Sequence, residues 1–470
     1  MRANCKAANC SWFIYASKEA NSDAFVIRTM GPSCHCGRTF YHKRANSGFL
    51  SRHYMEFLRL NKKVTVAQFM EKVHLELNVN ITKHQASKTF MKAKSLIHSS
   101  YKNQYRKLWD YCDELLTCNP GTTVHMETIL DESSGKERFL RLYICFETLK
   151  RGFKAGCTPV IGVDGCHLRG PHPGMLLTAG GIDANDCIYP VAYAVVEGLG
   201  SAIEEVVPGV EHRHCVRHLH NNIKKLHPGQ SIKNRFCACA WSSYMRRFES
   251  EMEILREYDS NAHRWLLDNT NPKHWSRSHF REAAKCDILL NNLCESFNSV
   301  ILEAREKPIL GMLENIRVYL MERLRTKREW MKKRTDDICP KIQNKLERAK
   351  TECAANIAPQ SDDKRFEVQH IYGGTYVVDL DKCTCTCRKW ELIGLPCCHA
   401  IACISLAGGK VEAYVHKCYS RQAYLAAYEP TIAPISGPNT WKCSTKEPVL
   451  PPNKVRLPGR PKKARRRESD

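Results

Sequence analysis

The residues with the most chemistry in this chain are its cysteines. Towards the C-terminal end, Cys385-Thr386-Cys387 is followed, after nine intervening residues, by Cys397-Cys398-His399, a C-x-C-x9-C-x-H array. Structural zinc takes four thiolate or imidazole donors in a tetrahedron, and two close pairs on either side of a short loop can supply them. The first pair follows a predicted strand, and the turn Gly394-Leu395-Pro396 aims the second pair back at it. Cys383 and Cys398 are spare thiols beside the array, so either can displace a neighbour as ligand. A second array opens the chain: Cys5 and Cys10, then 23 intervening residues, then Cys34-His35-Cys36. The alternative for both arrays is a set of free thiols. A third candidate is the run from Val160 to His167, an apolar strand carrying Asp164 near its end. A carboxylate placed there suits divalent-metal phosphoryl chemistry, although an aspartate at a strand end is commonly a turn former.

Composition bounds what these groups serve. A chain of 470 residues suggests two to four domains, and 43% hydrophobic residues suffice for real cores. Lys and Arg number 72 against 49 Asp and Glu, a net charge of +23 that predicts a polyanionic partner, with DNA preferred. Membrane surface is the competing polyanion. No stretch approaches the roughly 18 apolar residues of a spanning helix, and the opening residues do not read as a signal peptide, so no membrane partner is expected. The 25 cysteines therefore read as zinc ligands and buried thiols in a reducing compartment.

The elements that must position these groups follow from pattern. Residues 1–50 carry strand-like stretches at 12–15 and 25–28, and Lys6, Arg28, Arg38, Lys43 and Arg44 suit phosphate contacts or a solvated charged face. Residues 64–116 read as helical. Thr65 with Gln68 and Thr82 with Gln85 match capping boxes, and Val66, Phe69, Val73 and Leu77 keep helical spacing. Two capped helices in succession read as core helices or as a helix-turn-helix. A hairpin turning at Ser133-Ser134-Gly135 is predicted over 122–146, then three strands at 159–164, 175–180 and 187–197. Residues 201–350 read mainly as helix, one carrying Phe297, Ile301 and Ala304, another starting after Pro308. A second hairpin, around Gly373-Gly374, covers 366–380. From about Thr440 the chain is rich in Pro, Lys and Arg and is expected to be disordered.

These motifs carry family resemblances. The C-terminal array resembles the SWIM zinc finger, in which Cys385, Cys387, Cys397 and His399 would be the ligands. The N-terminal array resembles the WRKY/GCM-like finger of Mutator-type transposases, with Cys5, Cys10 and Cys36 as ligands and Cys34 or His35 as the fourth, Cys34 preferred. With His212-Arg213-His214-Cys215-Val216-Arg217-His218 and the run from Cys286 to Asn298 added, the chain resembles plant Mutator-like element transposases over nearly its whole length. The FAR-RED impaired response transcription factors are similar.

The resemblance implies an α+β chain. It would comprise a zinc-binding domain at 1–50, a helical linker region and hairpin at 51–150, an RNase H-like domain at 151–330, a SWIM finger at 366–405 and a basic disordered tail at 440–470. It further implies an Asp, Asp, Glu triad in which Asp164 matches the first Asp and Glu295 the Glu. Cys215 and His218 match a Cys-x-x-His element with a structural role.

One departure matters. The segment that should bring a helix, a fourth strand and the second Asp is missing, because Glu197-Gly198-Leu199-Gly200-Ser201 runs straight into Ala202-Ile203-Glu204-Glu205. Asp183 and Asp186 are the nearby carboxylates that could replace it, and both are expected in a turn. Two-metal catalysis needs bridging carboxylates, so the expectation is an incomplete core, an unpaired edge on the first strand, and lost cleavage. Mg2+ or Mn2+ would enter only if the transposase chemistry survives. The tail residues Arg460, Lys462, Lys463, Arg465, Arg466 and Arg467 read as a nuclear import signal, or as an AT-hook laid in an A·T minor groove. The expected whole is a nuclear, zinc- and DNA-binding protein. The alternatives are an active transposase, or a module that binds a protein partner or a second copy through its SWIM region.

Overall fold

The structure, a computed structural model, describes residues 1–5, 7, 9–19, 24–37, 40–61, 64–169, 174–196 and 211–452. The chain forms two compact units, 1–100 and 101–470.

The first unit begins with a three-stranded antiparallel sheet of β1 (Arg2–Asn4), β2 (Phe13–Lys18) and β3 (Phe25–Met30). Its helices are α1 (Ser47–His53), α2 (Met55–Leu60), α3 (Val66–Leu77) and α4 (Lys83–Arg106), the last running into the second unit. Both capping boxes form. Thr65 Oγ1 accepts from the Gln68 amide while Gln68 Oε1 accepts from the Thr65 amide, and Thr82 and Gln85 repeat the exchange. Phe69 and Val73 of α3, Ala86 and Ala93 of α4, and Leu50 of α1 share one buried core.

The second unit opens with α5 (Leu108–Cys118) and is built on a five-stranded sheet. β4 (Thr123–Asp131) and β5 (Lys136–Cys145) form the first predicted hairpin, and β6 (Cys157–His167), β7 (Met175–Asp183) and β8 (Ile188–Val196) follow as an antiparallel meander. The strand order is β4-β5-β8-β7-β6. Thus β6, which carries Asp164, lies at an edge of the sheet, and Ile161 and Val163 are about half exposed there at 49% and 46%.

Helices cover both faces. Successive strand residues point to opposite faces. A Cβ at Gly181 would meet Phe153 of α6 (Glu147–Gly156), whereas one at Gly180 would approach Cys294 on the helix Asn292–Val300. The helical region supplies α7 (Val216–Ile223), α8 (Gln230–Trp241), α9 (Met245–Tyr258), α10 (Ser260–Asn269), α11 (Asn292–Val300), α12 (Ile309–Lys332) and α13 (Pro340–Cys353). Helices α7 to α10 have their own core around Phe236, Trp275 and Phe280. A small sheet of β9 (Asn356–Ile357), β10 (Arg365–His370), β11 (Thr375–Asp379) and β12 (Thr384–Cys385) contains the second predicted hairpin. It is followed by α14 (Lys389–Ile393), α15 (Cys398–Leu406) and α16 (Arg421–Tyr428).

Two boundaries read from sequence are corrected. The 51–150 stretch is not one region: its helices up to residue 100 belong to the first unit, and the hairpin is part of the large sheet. Nor is the chain without structure from Thr440. The Leu450 carbonyl accepts from the Phe139 amide and its amide donates to Glu137, Val449 is fully buried, and Lys446 stacks over Trp109. Pro-rich composition hid this because an extended segment paired to a strand needs no helical or alternating signature. Residues 453–470, with the Arg460 to Arg467 cluster, lie outside the described residues, as do 197–210 across the inferred gap.

Candidate metal centres

The C-terminal array is shaped by backbone. β11 pairs with β12 and brings Cys385 to the end of a hairpin. Cys383, Arg388 and Gly394 all take left-handed backbone, with φ of 53°, 62° and 73°. The Arg388 amide donates to the Cys385 carbonyl at 2.6 Å, closing a knuckle that holds Cys387. After α14 the chain reverses at Gly394, and Cys397 becomes the N-cap of α15 with His399 in its first turn. The positive end of the helix dipole favours thiolate there.

The donor atoms of Cys385, Cys387, Cys397 and His399 all lie within 4.8 Å of one another, and all four residues are buried. His399 Nδ1 is 3.5 Å from Cys385 Sγ and 3.9 Å from Cys397 Sγ. With Zn–S about 2.3 Å and Zn–N about 2.0 Å, the edges of a zinc tetrahedron are about 3.5–3.8 Å, so the spacing fits. Residues 376–407 match the model of the SWIM zinc finger family. No curated protein and no solved structure matches the chain.

Several contacts support the SWIM finger. Tyr376 stacks on the His399 ring at 4.0 Å between centroids, fixing its rotation. Hydrogen bonds from Cys385 and Cys397 hold Cys387 far below the ordinary thiol value in spite of its burial. Cys403 lacks such neighbours, and burial pushes it up to about 12. The spare thiols stand outside the tetrad: Cys383 is exposed and points to the Leu380 carbonyl, and Cys398 lies beside His399 without joining the group.

The finger is fastened to the helical region by a residue the sequence did not flag. Arg388 follows Cys387 directly. Its guanidinium donates to the carbonyls of Ser278 and Phe280 at 2.6 Å, to those of Ser243 and Arg277 at 3.3 Å, and to the Glu282 carboxylate at 2.8 Å. The planar fork of arginine suits such a cluster of acceptors. Ser243 Oγ adds a bond to the Cys387 carbonyl at 2.7 Å, and Leu392 of α14 joins the core of the helical region. A lone arginine after a ligand cysteine carries no sequence signal for this.

In the first unit, Cys5, Cys10, Cys34 and Cys36 form the second four-donor group within 4.8 Å. Cys34 Sγ is 3.6 Å from Cys10 and 3.7 Å from Cys5, so Cys34 rather than His35 completes the group. The strands β2 and β3 lie between the two pairs and bring them together. Unlike the SWIM tetrad, Cys34 and Cys36 are exposed. Arg28 donates to Ser17 across the β2–β3 pair; Lys6 and Arg38 lie outside the described residues. Both clusters are consistent with structural zinc.

Asp164 and Glu295 sit on facing elements. Asp164 Oδ2 accepts from Asn298 Nδ2 at 2.8 Å, and Asn298 Oδ1 accepts from Thr178. Glu295 lies one turn earlier on α11 and pairs with Arg217 at 2.6 Å. Asn291 Nδ2 donates to the Val163 carbonyl and anchors the helix start to the strand. Among the described residues no third carboxylate joins them.

Asp183 and Asp186 are at the β7–β8 turn, as expected. Asp164 pairs with Thr178, five residues before Asp183, which places Asp183 about 16 Å along the strand. Asp183 is instead a structural acceptor, taking bonds from the Asn185 and Cys187 amides and from Tyr428, and burial raises it from 3.8 to about 6. Cys215 accepts from the Asn291 amide at 3.4 Å and lines a cavity of about 420 Å³ with His218 and Asp164. No third ligand joins Cys215 and His218 among the described residues.

Proposed function

We propose that this chain is a nuclear, zinc-stabilised DNA-binding protein of Mutator-like transposase descent whose strand-cleaving chemistry is lost. The observation that carries the zinc part is the buried Cys385, Cys387, Cys397 and His399 tetrad inside the SWIM match. DNA as partner is supported by the +23 charge and by the basic cluster from Arg460 to Arg467. The family reading is carried by the sequence motifs around Asp164, Cys215, His218 and Glu295. Loss of cleavage is supported by the partners these acids have: an amide on Asp164 and a guanidinium on Glu295, with Asp183 committed to a buried turn. No described helix is long and apolar enough to cross a membrane.

The test is plasmid nicking by the purified protein in manganese, with Asp164→Ala and Glu295→Ala as controls, alongside duplex binding at several salt concentrations. The expected result is binding whose logarithm falls with log salt by about 0.9 per phosphate contact, and no nicking above the controls. Nicking abolished by both substitutions would establish an active transposase using Mg2+ or Mn2+ instead. Salt-independent or absent DNA binding would leave the SWIM finger as a module for a protein partner or a second copy.

A further inference from the structure

A cleft of about 520 Å³ opens in the second unit between the β7–β8 turn, the start of α13, the 285–290 loop and the SWIM finger. It adjoins the cavity that holds Asp164, sharing Ile182, Ile288, Leu289 and Leu290 with it, and belongs to neither zinc cluster. Four cations line it, Arg277, Lys285, Lys341 and Lys345, against two carboxylates, Asp186 and Asp287, leaving a surplus of two positive charges. Arg277 is matched by Asp287 at 2.9 Å. Lys341 and Lys345 share the single carboxylate of Asp186, at 3.8 and 2.7 Å, and both side chains stay about half exposed. Among the described residues Lys285 meets no carboxylate; its ammonium rests on the Glu391 carbonyl at 2.8 Å.

Two further features point to a ligand. Trp241, the last residue of α8, stands on the cleft wall 51% exposed, although an indole of that area is normally buried. Lys285 and Asp186 both hold left-handed backbone, with φ of 45° and 52°, and such strain in non-glycine residues gathers at ligand clamps. Tyr419, which follows the SWIM finger, donates to the Lys285 carbonyl at 3.2 Å, and within the finger the Glu391 carbonyl and Gly394 meet the Lys285 side chain, so both segments hold that residue in place.

We propose that this cleft takes one unpaired nucleotide, its phosphate on Lys285, Lys341 and Lys345 and its base against the Trp241 ring. Cations beside an exposed aromatic face are how proteins hold single strands without reading sequence. The volume lies within the range of small-ligand pockets and is far too small for a duplex. The inference rests on the nucleic-acid reading above and locates one contact of it. A nucleoside monophosphate offers the same chemistry as a nucleotide within a strand, so the test includes both.

Fluorescein-labelled oligothymidine is titrated with the full chain by anisotropy, with thymidine monophosphate as competitor and a labelled duplex in parallel. Trp241→Ala should weaken oligothymidine binding about tenfold. Lys341→Ala with Lys345→Ala should flatten its salt dependence by about 1.4 in log–log slope. Exposed Arg256→Ala should change neither, and zinc content in all variants should equal that of the unaltered chain. Competition by the monophosphate at the oligonucleotide's own affinity would assign the site to free nucleotide; much weaker competition would assign it to a strand. Oligothymidine binding unaffected by the cleft variants overturns the proposal and leaves duplex binding standing. Failure of the unaltered chain to bind either nucleic acid overturns both readings.

Discussion

The two cysteine arrays present the same number of donors in opposite surroundings. The SWIM tetrad is buried between a β hairpin and a helix N-terminus, with an aromatic ring over its histidine and an arginine reaching from the next residue into the helical region. In the N-terminal tetrad, Cys34 and Cys36 are exposed on a loop after a three-stranded sheet. Zinc binding free energy is folding free energy wherever the ligands cannot assemble without the ion. The difference therefore says where that energy goes. At the SWIM finger it reaches the core of the large unit, through Leu392 and Arg388. At the N-terminal group it stays local to the strands that join the ligand pairs.

The largest effect expected from this contrast is that of Cys387→Ser. It should lower zinc content by about one ion per chain and destabilise the second unit by about 4 kcal/mol or more. A thermal melt of that unit unchanged by the substitution would remove the contrast altogether. Arg388→Ala should come next, costing about 3 kcal/mol because several buried carbonyls lose their donor, while the zinc content holds. Loss of zinc in that variant would show that the arginine shapes the knuckle rather than transmits its stability.

An effect of similar size separates zinc from ordinary burial in the same unit. Burial raises Asp183 from 3.8 to about 6, so the folded state binds the proton more tightly than the unfolded one. Its contribution is most favourable below about pH 4 and is lost as pH rises through 6, a swing of about 3 kcal/mol. Asp183→Asn should remove that slope from melts followed over this range, and a slope that persists would mean another group carries it. Smallest of all, Cys36→Ser should also lower zinc by about one ion, yet move the melt of the second unit by less than about 0.5 kcal/mol. A chelator should accordingly strip the exposed group first; simultaneous release from both would argue against the contrast.

Much of the local structure was readable. The capping pairs at Thr65 and Thr82 and the hairpin turns at Ser133-Ser134-Gly135 and Gly373-Gly374 form where their residues indicated, because each depends on atoms only a few positions apart. The four-donor groups were legible for a related reason. Metal-ligand spacing is a local code, and the choice of Cys34 over His35 needed only the geometry of one loop. The paired order of residues 440–452 was not legible, since its partner strand lies some three hundred positions earlier in the chain.

What the sequence by itself determined is the inventory: a strongly basic chain, two sets of zinc-type donors, and one acid on a predicted strand with another on a predicted helix. What only the tertiary structure decided is how those groups are spent. Asp164 meets Asn298, Glu295 meets Arg217 and Asp183 meets Tyr428, each across more than 70 residues of sequence. Arg388 finds its acceptors more than 100 residues away. Partners at such separations are chosen by how the layers pack, and no spacing rule encodes them, because hydrogen-bonding and charge pairing act through distance in space alone.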